Sequence, residues 1–162
     1  MGKTLFIERS VTIDRPVEDV FAFVRYIGNH DQFSIWHSSD PDVRVTTSGQ
    51  DGTVGFVHHW DSQLKKVGAG SQEITELLGR EKIAYELRFE RPMRATNHSE
   101  VKFLSLPEAR TRVTWNFRGD MKFPLSLLSF VLKRMLGNDL QGNLDRLKKV
   151  MEEHRTPVHR EG

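Results

Sequence analysis

The chain has 162 residues, of which 37% are hydrophobic and 28% charged, a composition typical of one soluble domain with a buried core. It contains no cysteine, which excludes a disulfide framework, a thiolate zinc site and a cysteine nucleophile. The formal net charge of +2 is too small to indicate nucleic-acid binding, and no run of about 18 apolar residues predicts a membrane span.

The first elements in chain order are a strand and two short helices. Apolar residues recur at mostly even separations over residues 4–13, which predicts the strand. Pro16 suits the first turn of the helix that follows. The apolar face of that helix is formed by Val17, Val20, Phe21 and Val24. A second short helix or turn is predicted over residues 30–36.

Turn residues separate a series of six further strands, predicted at residues 43–48, 53–61, 68–78, 83–89, 95–105 and 111–119. Apolar and polar residues alternate within them, so that one face of the sheet is apolar and the other charged. Short connections between consecutive strands predict an antiparallel meander with one solvated face and one covered face.

A long helix is predicted over residues 124–153, with Pro124 in its first turn. Its main apolar face is formed by Leu125, Leu128, Leu132, Met135, Leu136, Leu140, Leu144, Leu147 and Met151. Leu127, Phe130 and Val131 widen this face, so they are expected to pack on the short helices, line a pocket opening or form a dimer interface. Residues 1–155 are therefore expected to form a single domain and residues 156–162 a frayed tail.

Several segments resemble the START/Bet v 1-like superfamily, and within it the bacterial polyketide cyclase/dehydrase group. They are IDRPVEDVF at residues 13–21, FSIW at 33–36 before Asp40 and Pro41, VGAG at 67–70 before ITE at 74–76, LRFERP at 87–92 and TRVTW at 111–115. The resemblance covers residues 4–153. It implies an α+β helix-grip fold, in which a curved antiparallel sheet of about seven strands wraps around the C-terminal helix.

The resemblance also implies a ligand cavity between the sheet and that helix. The expected apolar lining is Trp36, Phe56, Trp60, Tyr85, Leu87, Phe89, Val101, Trp115 and Phe117, with Leu128 and Leu132 of the helix. The expected polar groups are His58, Asn97, Ser99 and the Tyr85 hydroxyl. Asn97 and Ser99 either bind the ligand or form hydrogen bonds to a neighbouring strand or to water.

Two residues are candidates for catalysis. His58 shares a face with Phe56 and Trp60, so its imidazole is either a general base or ligand partner, or a histidine bonded within the core. Tyr85 is the second candidate, as a proton shuttle. His59 points to the opposite face, so the two adjacent histidines cannot bind one metal ion.

A second group of polar residues surrounds Trp36 in the sequence and comprises His30, Asp31, His37 and Asp40. Such residue types can bind a divalent ion, but no fixed ligand spacing is present, so we expect loop residues that face water and no metal site. No other catalytic motif is recognisable.

The function expected from these observations is binding of a small hydrophobic or amphipathic ligand, lipid-like, polyketide-like or aromatic, in the central cavity. The alternatives are a cyclase or dehydratase that acts in the same cavity, and a partner-binding module of the chaperone-activator type. No cofactor and no nucleic-acid partner is expected. A monomer or homodimer is expected, and the N-terminus lacks the uncharged run of a signal peptide, which favours the cytoplasm.

Overall fold

A computed structural model describes residues 2–122 and 125–153 of the chain. The strands are β1 (Gly2–Ile13), β2 (Arg44–Ser48), β3 (Val57–Asp61), β4 (Ala69–Leu78), β5 (Lys82–Arg91), β6 (Ala95–Leu106) and β7 (Arg110–Lys122). The helices are α1 (Val17–Val24), α2 (Ile35–Ser38) and α3 (Ser129–Glu153), with 3-10 helices at Ile27–Gln32 and Leu125–Leu128.

The seven strands form one curved antiparallel sheet in the order β1-β7-β6-β5-β4-β3-β2. Strands β2 to β7 are a meander of neighbours, whereas β1 pairs with β7. The segment from α1 to α2 therefore connects the two edge strands, and α3 packs mainly against β1. The predicted fold class, a curved antiparallel sheet with a long C-terminal helix and two short helices after the first strand, is confirmed.

The sheet has two ends, which we call the upper and the lower end. The upper end carries the connections at residues 62–68 and 92–94 and the 3-10 helix that precedes α3. The lower end carries the turns at residues 79–81 and 107–109. The last residues of α3 also lie there, because Arg15 donates a hydrogen bond to the carbonyl oxygen of Met151.

The lower half of the interior is a filled core. Fully or almost fully buried residues of the strands meet those of α1 and of the second half of α3 there. The strands contribute Ile13, Ile74, Ile83, Val101 and Val113, and the two helices contribute Val20, Val24, Leu140, Leu144 and Leu147. Phe21 and Phe103 stack edge to face within this core, with ring centroids 5.2 Å apart. Apolar burial of this kind is the main stabilising contribution to the fold.

Some predicted boundaries were wrong for local reasons. The strand expected from residue 53 begins at Val57, because the turn before it uses Gly52 and Gly55 at φ values of 81° and 96°. The second short helix is replaced by the first 3-10 helix and α2, with the buried Phe33 between them. Pro124 and the predicted tail at 156–162 lie outside the described residues.

The predicted apolar stripe of the last helix is buried only in its second part. Leu128 and Met135 are more than half exposed, whereas burial begins at Gly137 and continues through Leu140 and Leu144. Gly137 lies directly against the guanidinium group of Arg9 on β1, where a Cβ would clash. The helix therefore contacts the sheet closely only from this point onward. Within the described ranges, no helix is long and apolar enough to cross a bilayer.

Candidate functional site

The concave face of the sheet carries the side chains that alternation assigned to it. Tyr85 pairs with Ser99, and Ser99 with Phe117, while Leu87 pairs with Asn97 in the next inward-facing row. His58 lies on the same face and pairs with Gln72 of β4. The sequence pattern therefore placed these residues on the correct face, because side chains alternate strictly along a regular strand.

The upper half of the concave face is only half-buried, in contrast to the filled lower half. Its half-buried residues are Trp60, Leu87, Phe89, Asn97 and Phe117, together with Trp36 of α2. The Trp60 and Phe89 rings meet edge to face with centroids 5.7 Å apart. An apolar surface of this kind, facing the start of α3, can accept the apolar part of a small molecule.

Two glycines shape this upper half. The Trp60 ring lies over Gly70, where a Cβ would be 2.8 Å from the nearest indole carbon. The Asn97 amide lies directly over Gly119 of β7, so that any larger residue there would displace it. Among residues 2–122 and 125–153, the Asn97 amide has no side-chain hydrogen bond, and it therefore stays a predicted ligand contact.

A cluster of three histidines and one tyrosine lies below this half-buried surface. We call it the polar cluster, and it consists of His30, His37, His58 and Tyr85. The ring centroids of His30 and His37 are 5.2 Å apart, those of His37 and His58 5.5 Å, and those of His30 and Tyr85 6.0 Å. The four rings form a continuous chain from the first 3-10 helix through α2 to β3 and β5.

Hydrogen bonds fix the orientation of two of these rings. His30 Nε2 lies 2.9 Å from the carbonyl oxygen of Val24 and must donate to it. His37 Nε2 lies 3.0 Å from Gln72 Oε1, and His37 Nδ1 lies 3.2 Å from Ser34 Oγ. With Nε2 protonated in each ring, the Ser34 hydroxyl donates to His37 Nδ1 and both rings are neutral.

Burial keeps the cluster uncharged at neutral pH. It lowers the pKa of His30 to about 4, partly offset by the Val24 carbonyl, and lowers the pKa of His37 to about 3, with His30 adding to the effect. Burial also lowers the pKa of His58 and raises the pKa of the Tyr85 hydroxyl. The cluster therefore offers neutral hydrogen-bonding groups, because burial penalises the charged form of each ring.

Four buried polar atoms in or near this cluster have no hydrogen-bond partner among the described residues. They are His30 Nδ1, His58 Nδ1, the Tyr85 hydroxyl and Asn143 Nδ2 of α3. The Asn143 Oδ1 atom accepts a hydrogen bond from the Ile35 backbone at 2.9 Å, which places its free Nδ2 beside α2. Buried polar groups are normally paired, so such a set marks where water or the polar group of a ligand binds.

Other predicted site residues have different environments. Ser99 Oγ donates to the Asn116 carbonyl at 2.8 Å and accepts from Trp115 Nε1 at 2.9 Å. Ser99 therefore bonds within the sheet, and its contact with a ligand stays a prediction for the one acceptor position that its hydroxyl keeps. Phe56, Val101 and Trp115 are buried in the core. The last two predicted residues lie at the upper end, Leu132 half-buried and Leu128 more than half exposed.

Sequence reasoning missed His30 and His37 as interior residues, because it expected water-facing loop residues. His30 is fully buried and His37 half-buried. Their spacing contained a signal, since His30, Phe33, Ser34 and His37 follow one another at separations of three, one and three, as on one helical face. Within the described part of the chain, no group of three or more His, Asp or Glu side chains is arranged to bind a metal ion.

Solved structures with the same fold include an enzyme and a protein named Ara h 8.0201. Norcoclaurine synthase from Thalictrum flavum, solved with dopamine and hydroxybenzaldehyde, has a TM-score of 0.72 at 10% identity, over 96% of this chain and 90% of that one. Ara h 8.0201 has a TM-score of 0.65 at 11% identity, over 94% and 100%. At such identities the likeness establishes the fold alone.

A third neighbour is the di-domain ARO/CYC protein BexL from the BE-7585A biosynthetic pathway. It has a TM-score of 0.63 at 17% identity, over 90% of this chain and 49% of that one. No curated protein sequence matches the chain significantly.

The family-level comparison covers almost the whole sequence. One family model matches residues 5–152, which include all seven strands in whole or in part and nearly all of α3. The resemblance noted in the sequence is thereby confirmed. The chain belongs to the family described as polyketide cyclase / dehydrase and lipid transport.

Proposed function

We propose that this protein binds a small amphipathic molecule between the upper half of its concave face and α3. The apolar part of the ligand packs against the half-buried side chains of Trp60, Leu87, Phe89 and Phe117. Its polar group forms hydrogen bonds with the polar cluster. The observation that carries this proposal is the set of unpartnered buried atoms beneath an apolar, partly exposed surface.

The chemistry of the cluster favours a neutral polar group. The Tyr85 hydroxyl can donate a hydrogen bond, and His30 Nδ1 can accept one because its Nε2 atom already donates to Val24. None of these groups carries a charge at neutral pH, and a buried carboxylate or phosphate would lack a cation beside it. A ligand hydroxyl or carbonyl group fits this arrangement best.

Affinity for such a ligand would come mainly from its apolar part. Removing apolar surface from water contributes about 25 cal/mol per Å². The family description includes lipid transport, and one structural neighbour was solved with dopamine and hydroxybenzaldehyde, which are aromatic molecules that carry polar groups. Both facts support a ligand of this general class.

Native mass spectrometry of freshly purified protein, followed by organic extraction, tests the proposal directly. A defined additional mass that is released into the organic phase is the expected result. If no mass is found, the protein is titrated with 6-propionyl-2-(dimethylamino)naphthalene, a neutral fluorescent probe with an apolar body and a carbonyl group. Absence of both a co-purified mass and saturable probe binding would refute a ligand-binding interior.

A pair of leucine variants locates the binding surface. Leu87→Trp adds bulk to the half-buried concave face, so probe affinity should fall by at least about tenfold, because the larger side chain occupies the binding space. Leu104→Trp makes the same change at a residue that is 56% exposed on the convex face, and it should leave affinity unchanged. Equal effects of the two substitutions would contradict the proposed location.

A second candidate function is a cyclase or dehydratase reaction in the same interior. It is favoured by His58, which is half-buried, lies beside His37 and keeps an unpartnered Nδ1 atom. A neutral imidazole that a ligand can reach is able to accept a proton. His30 and His37 are poor bases, because their pKa values are about 4 and 3.

The enzyme hypothesis has its own test. The extracted compound, or a synthetic poly-β-ketone, is incubated with the protein and examined for cyclisation or for loss of water. His58→Ala should slow such a reaction by about 100-fold or more. Unchanged turnover in His58→Ala would exclude His58 as the base, and absence of any reaction would leave binding as the function.

A further inference from the structure

The outward side of the first residues of α3 and of the 3-10 helix before it is apolar and exposed. Leu127 is 73% exposed, Phe130 75% and Val131 59%, and the neighbouring Leu128 and Met135 are more than half exposed. At 100° per residue, Val131 and Met135 lie roughly opposite the side of α3 that becomes buried from Gly137 onward, whereas Phe130 lies near that side but precedes the point where it is covered. Water-facing positions of a helix are normally polar, so this surface is unusual.

Two other segments of the upper end have the same chemistry. The connection at residues 62–68 exposes Leu64 beside Lys65 and Lys66, and the connection at residues 92–94 exposes Met93 beside Arg94. Strand pairing brings these connections to the same end of the sheet as the start of α3. Each of three separate segments thus combines an exposed apolar side chain with adjacent cations.

The charge at this end is predominantly positive. The exposed cations Lys65, Lys66, Arg94, Lys133 and Arg134 form no ion pair within residues 2–122 and 125–153. The sequence from 121 to 138 contains no acidic residue.

Several carboxylates of the upper end have partners, whereas Asp42, just before β2, is exposed. Asp61 pairs with Arg91 at 2.6 Å, and Glu90 lies 3.2 Å from His59. The Thr4 hydroxyl donates a hydrogen bond to Asp120. Within the described residues, none of these carboxylates lies within ion-pair distance of Lys65, Lys66, Arg94, Lys133 or Arg134.

We propose that the upper end docks on the surface of a lipid bilayer that contains anionic lipids. Leu127, Phe130 and Val131 enter the boundary between head groups and acyl chains, while Lys133 and Arg134 contact lipid phosphates. Docking of this kind does not require ligand binding, so the proposal does not rest on the function proposed above. It places the half-buried upper part of the concave face beside the bilayer.

A second copy of the chain fits this surface less well. A two-fold contact through the start of α3 would bring Lys133 and Arg134 of one copy towards the same residues of the other. Residues 121 to 138 of the other copy contain no carboxylate that could pair with these charges. An anionic lipid surface, by contrast, supplies both the apolar layer and the opposite charge.

Co-sedimentation with vesicles of phosphatidylcholine alone, or with three parts phosphatidylcholine to one part phosphatidylserine, tests the proposal. The full-length protein should bind the mixed vesicles and bind the neutral vesicles at least about tenfold more weakly. Phe130→Ala combined with Val131→Ala should lower binding to the mixed vesicles by at least about tenfold, because less apolar area enters the bilayer. Lys133→Gln combined with Arg134→Gln should lower it by about 25-fold, or about fivefold for each charge.

Matched variants at other exposed sites serve as controls. Leu78→Ala combined with Leu104→Ala removes exposed apolar side chains that lie away from the upper end. Arg112→Gln combined with Lys149→Gln removes exposed cations that also lie away from it. Neither pair should change vesicle binding. Circular dichroism and the thermal midpoint establish that each variant is folded, which is expected because all the substituted side chains are exposed.

Three outcomes would overturn the proposal. The first is no binding to mixed vesicles, or equal binding to neutral vesicles. The second is equal loss of binding in the upper-end variants and in the matched controls. The third is a concentration-dependent dimer in sedimentation equilibrium that Phe130→Ala abolishes, which would assign the apolar surface to a contact between two copies.

Discussion

Tyr85 and Ser99 lie opposite each other on β5 and β6, yet their hydroxyl groups have different environments. Ser99 Oγ makes two hydrogen bonds, to the Asn116 carbonyl and from the Trp115 indole. The Tyr85 hydroxyl is buried and makes none with the described residues. The Ser99 hydroxyl therefore stabilises the sheet, whereas the Tyr85 hydroxyl is free to bond to a ligand or to water.

This contrast predicts opposite effects of two small deletions on stability. Ser99→Ala should lower the free energy of unfolding by about 1–3 kcal/mol, because the buried Trp115 N–H loses its acceptor. Tyr85→Phe should leave it unchanged or raise it by about 1 kcal/mol, because an unpaired hydroxyl is removed. Urea denaturation of the ligand-free protein measures both values.

A large loss of stability in Tyr85→Phe would contradict the first prediction, since it would show that the hydroxyl has a partner in the folded protein. If Tyr85→Phe is stable, its affinity for 6-propionyl-2-(dimethylamino)naphthalene, whose carbonyl group can accept a hydrogen bond from Tyr85, reports separately on binding. The proposed function requires that this affinity falls although the fold is unaffected.

For single residues, the sequence predicted the face of the sheet on which a side chain lies better than its hydrogen-bond partners. Alternation placed His58, Tyr85 and Asn97 correctly on the concave face, because the direction of a strand side chain follows from its position. It could not show that Ser99 is already bonded, because its partners are on β7 and the pairing register is a property of the folded sheet. The burial of His30 likewise depends on packing against strands distant in sequence.

The two parts of α3 differ although their sequences look alike. From Leu140 to Met151 the apolar residues pack into the core, whereas Val131 and Met135 face solvent. A spacing of three and four identifies a helix and its apolar face, but it does not tell how far along its length that face is covered. The boundary lies at Gly137, which contacts the guanidinium group of Arg9 on β1.

Truncation of one residue in each part should reveal this difference. Leu144→Ala should lower the free energy of unfolding by about 2–5 kcal/mol, because it leaves a cavity in the core. Val131→Ala should change it by less than about 0.5 kcal/mol, because the side chain is exposed. Chemical denaturation of both variants at one pH is the measurement.

Similar losses in the two variants would mean that the start of α3 is covered in solution, for example by a second copy of the chain. Measurements at two protein concentrations separate this case from burial within one chain, because only a contact between copies depends on concentration.

The whole molecule has a pH dependence that follows from its buried histidines. The pKa of His30 is about 4 and that of His37 about 3, whereas both are near 6.5 in the unfolded chain. Between pH 6.5 and about 4 the unfolded chain therefore binds more protons than the folded protein. Folding stability is thus greatest above pH 6.5 and falls as the pH is lowered through this range.

The expected loss is about 1.4 kcal/mol per pH unit below 6.5 for each of these two histidines. His30→Gln keeps a donor for the Val24 carbonyl but does not titrate, so it should remove the His30 contribution of about 1.4 kcal/mol per pH unit from the slope. Thermal denaturation between pH 5 and 7 measures both proteins where most carboxylates stay charged. Equal slopes for the two would contradict a neutral, buried His30.

The sequence predicted the overall fold more completely than it predicted single side-chain contacts. The alternating strands with short connections and the long last helix were sufficient to predict the antiparallel sheet and its covered face. The division of the interior into a filled lower half and a half-buried upper half was not predictable. It depends on where α3 and α2 contact the sheet, which no local pattern encodes.

The pairing of β1 with β7 has a consequence for synthesis of the chain. Ile13 pairs with Thr111 and Gly2 with Lys122, so β1 has no partner until about 100 further residues have left the ribosome. At about 5–20 residues per second, this strand waits for roughly 5–20 seconds with an apolar face and two open edges. Of the seven described strands, β1 is therefore made first and paired last, and during that interval its apolar face is open to chaperone binding.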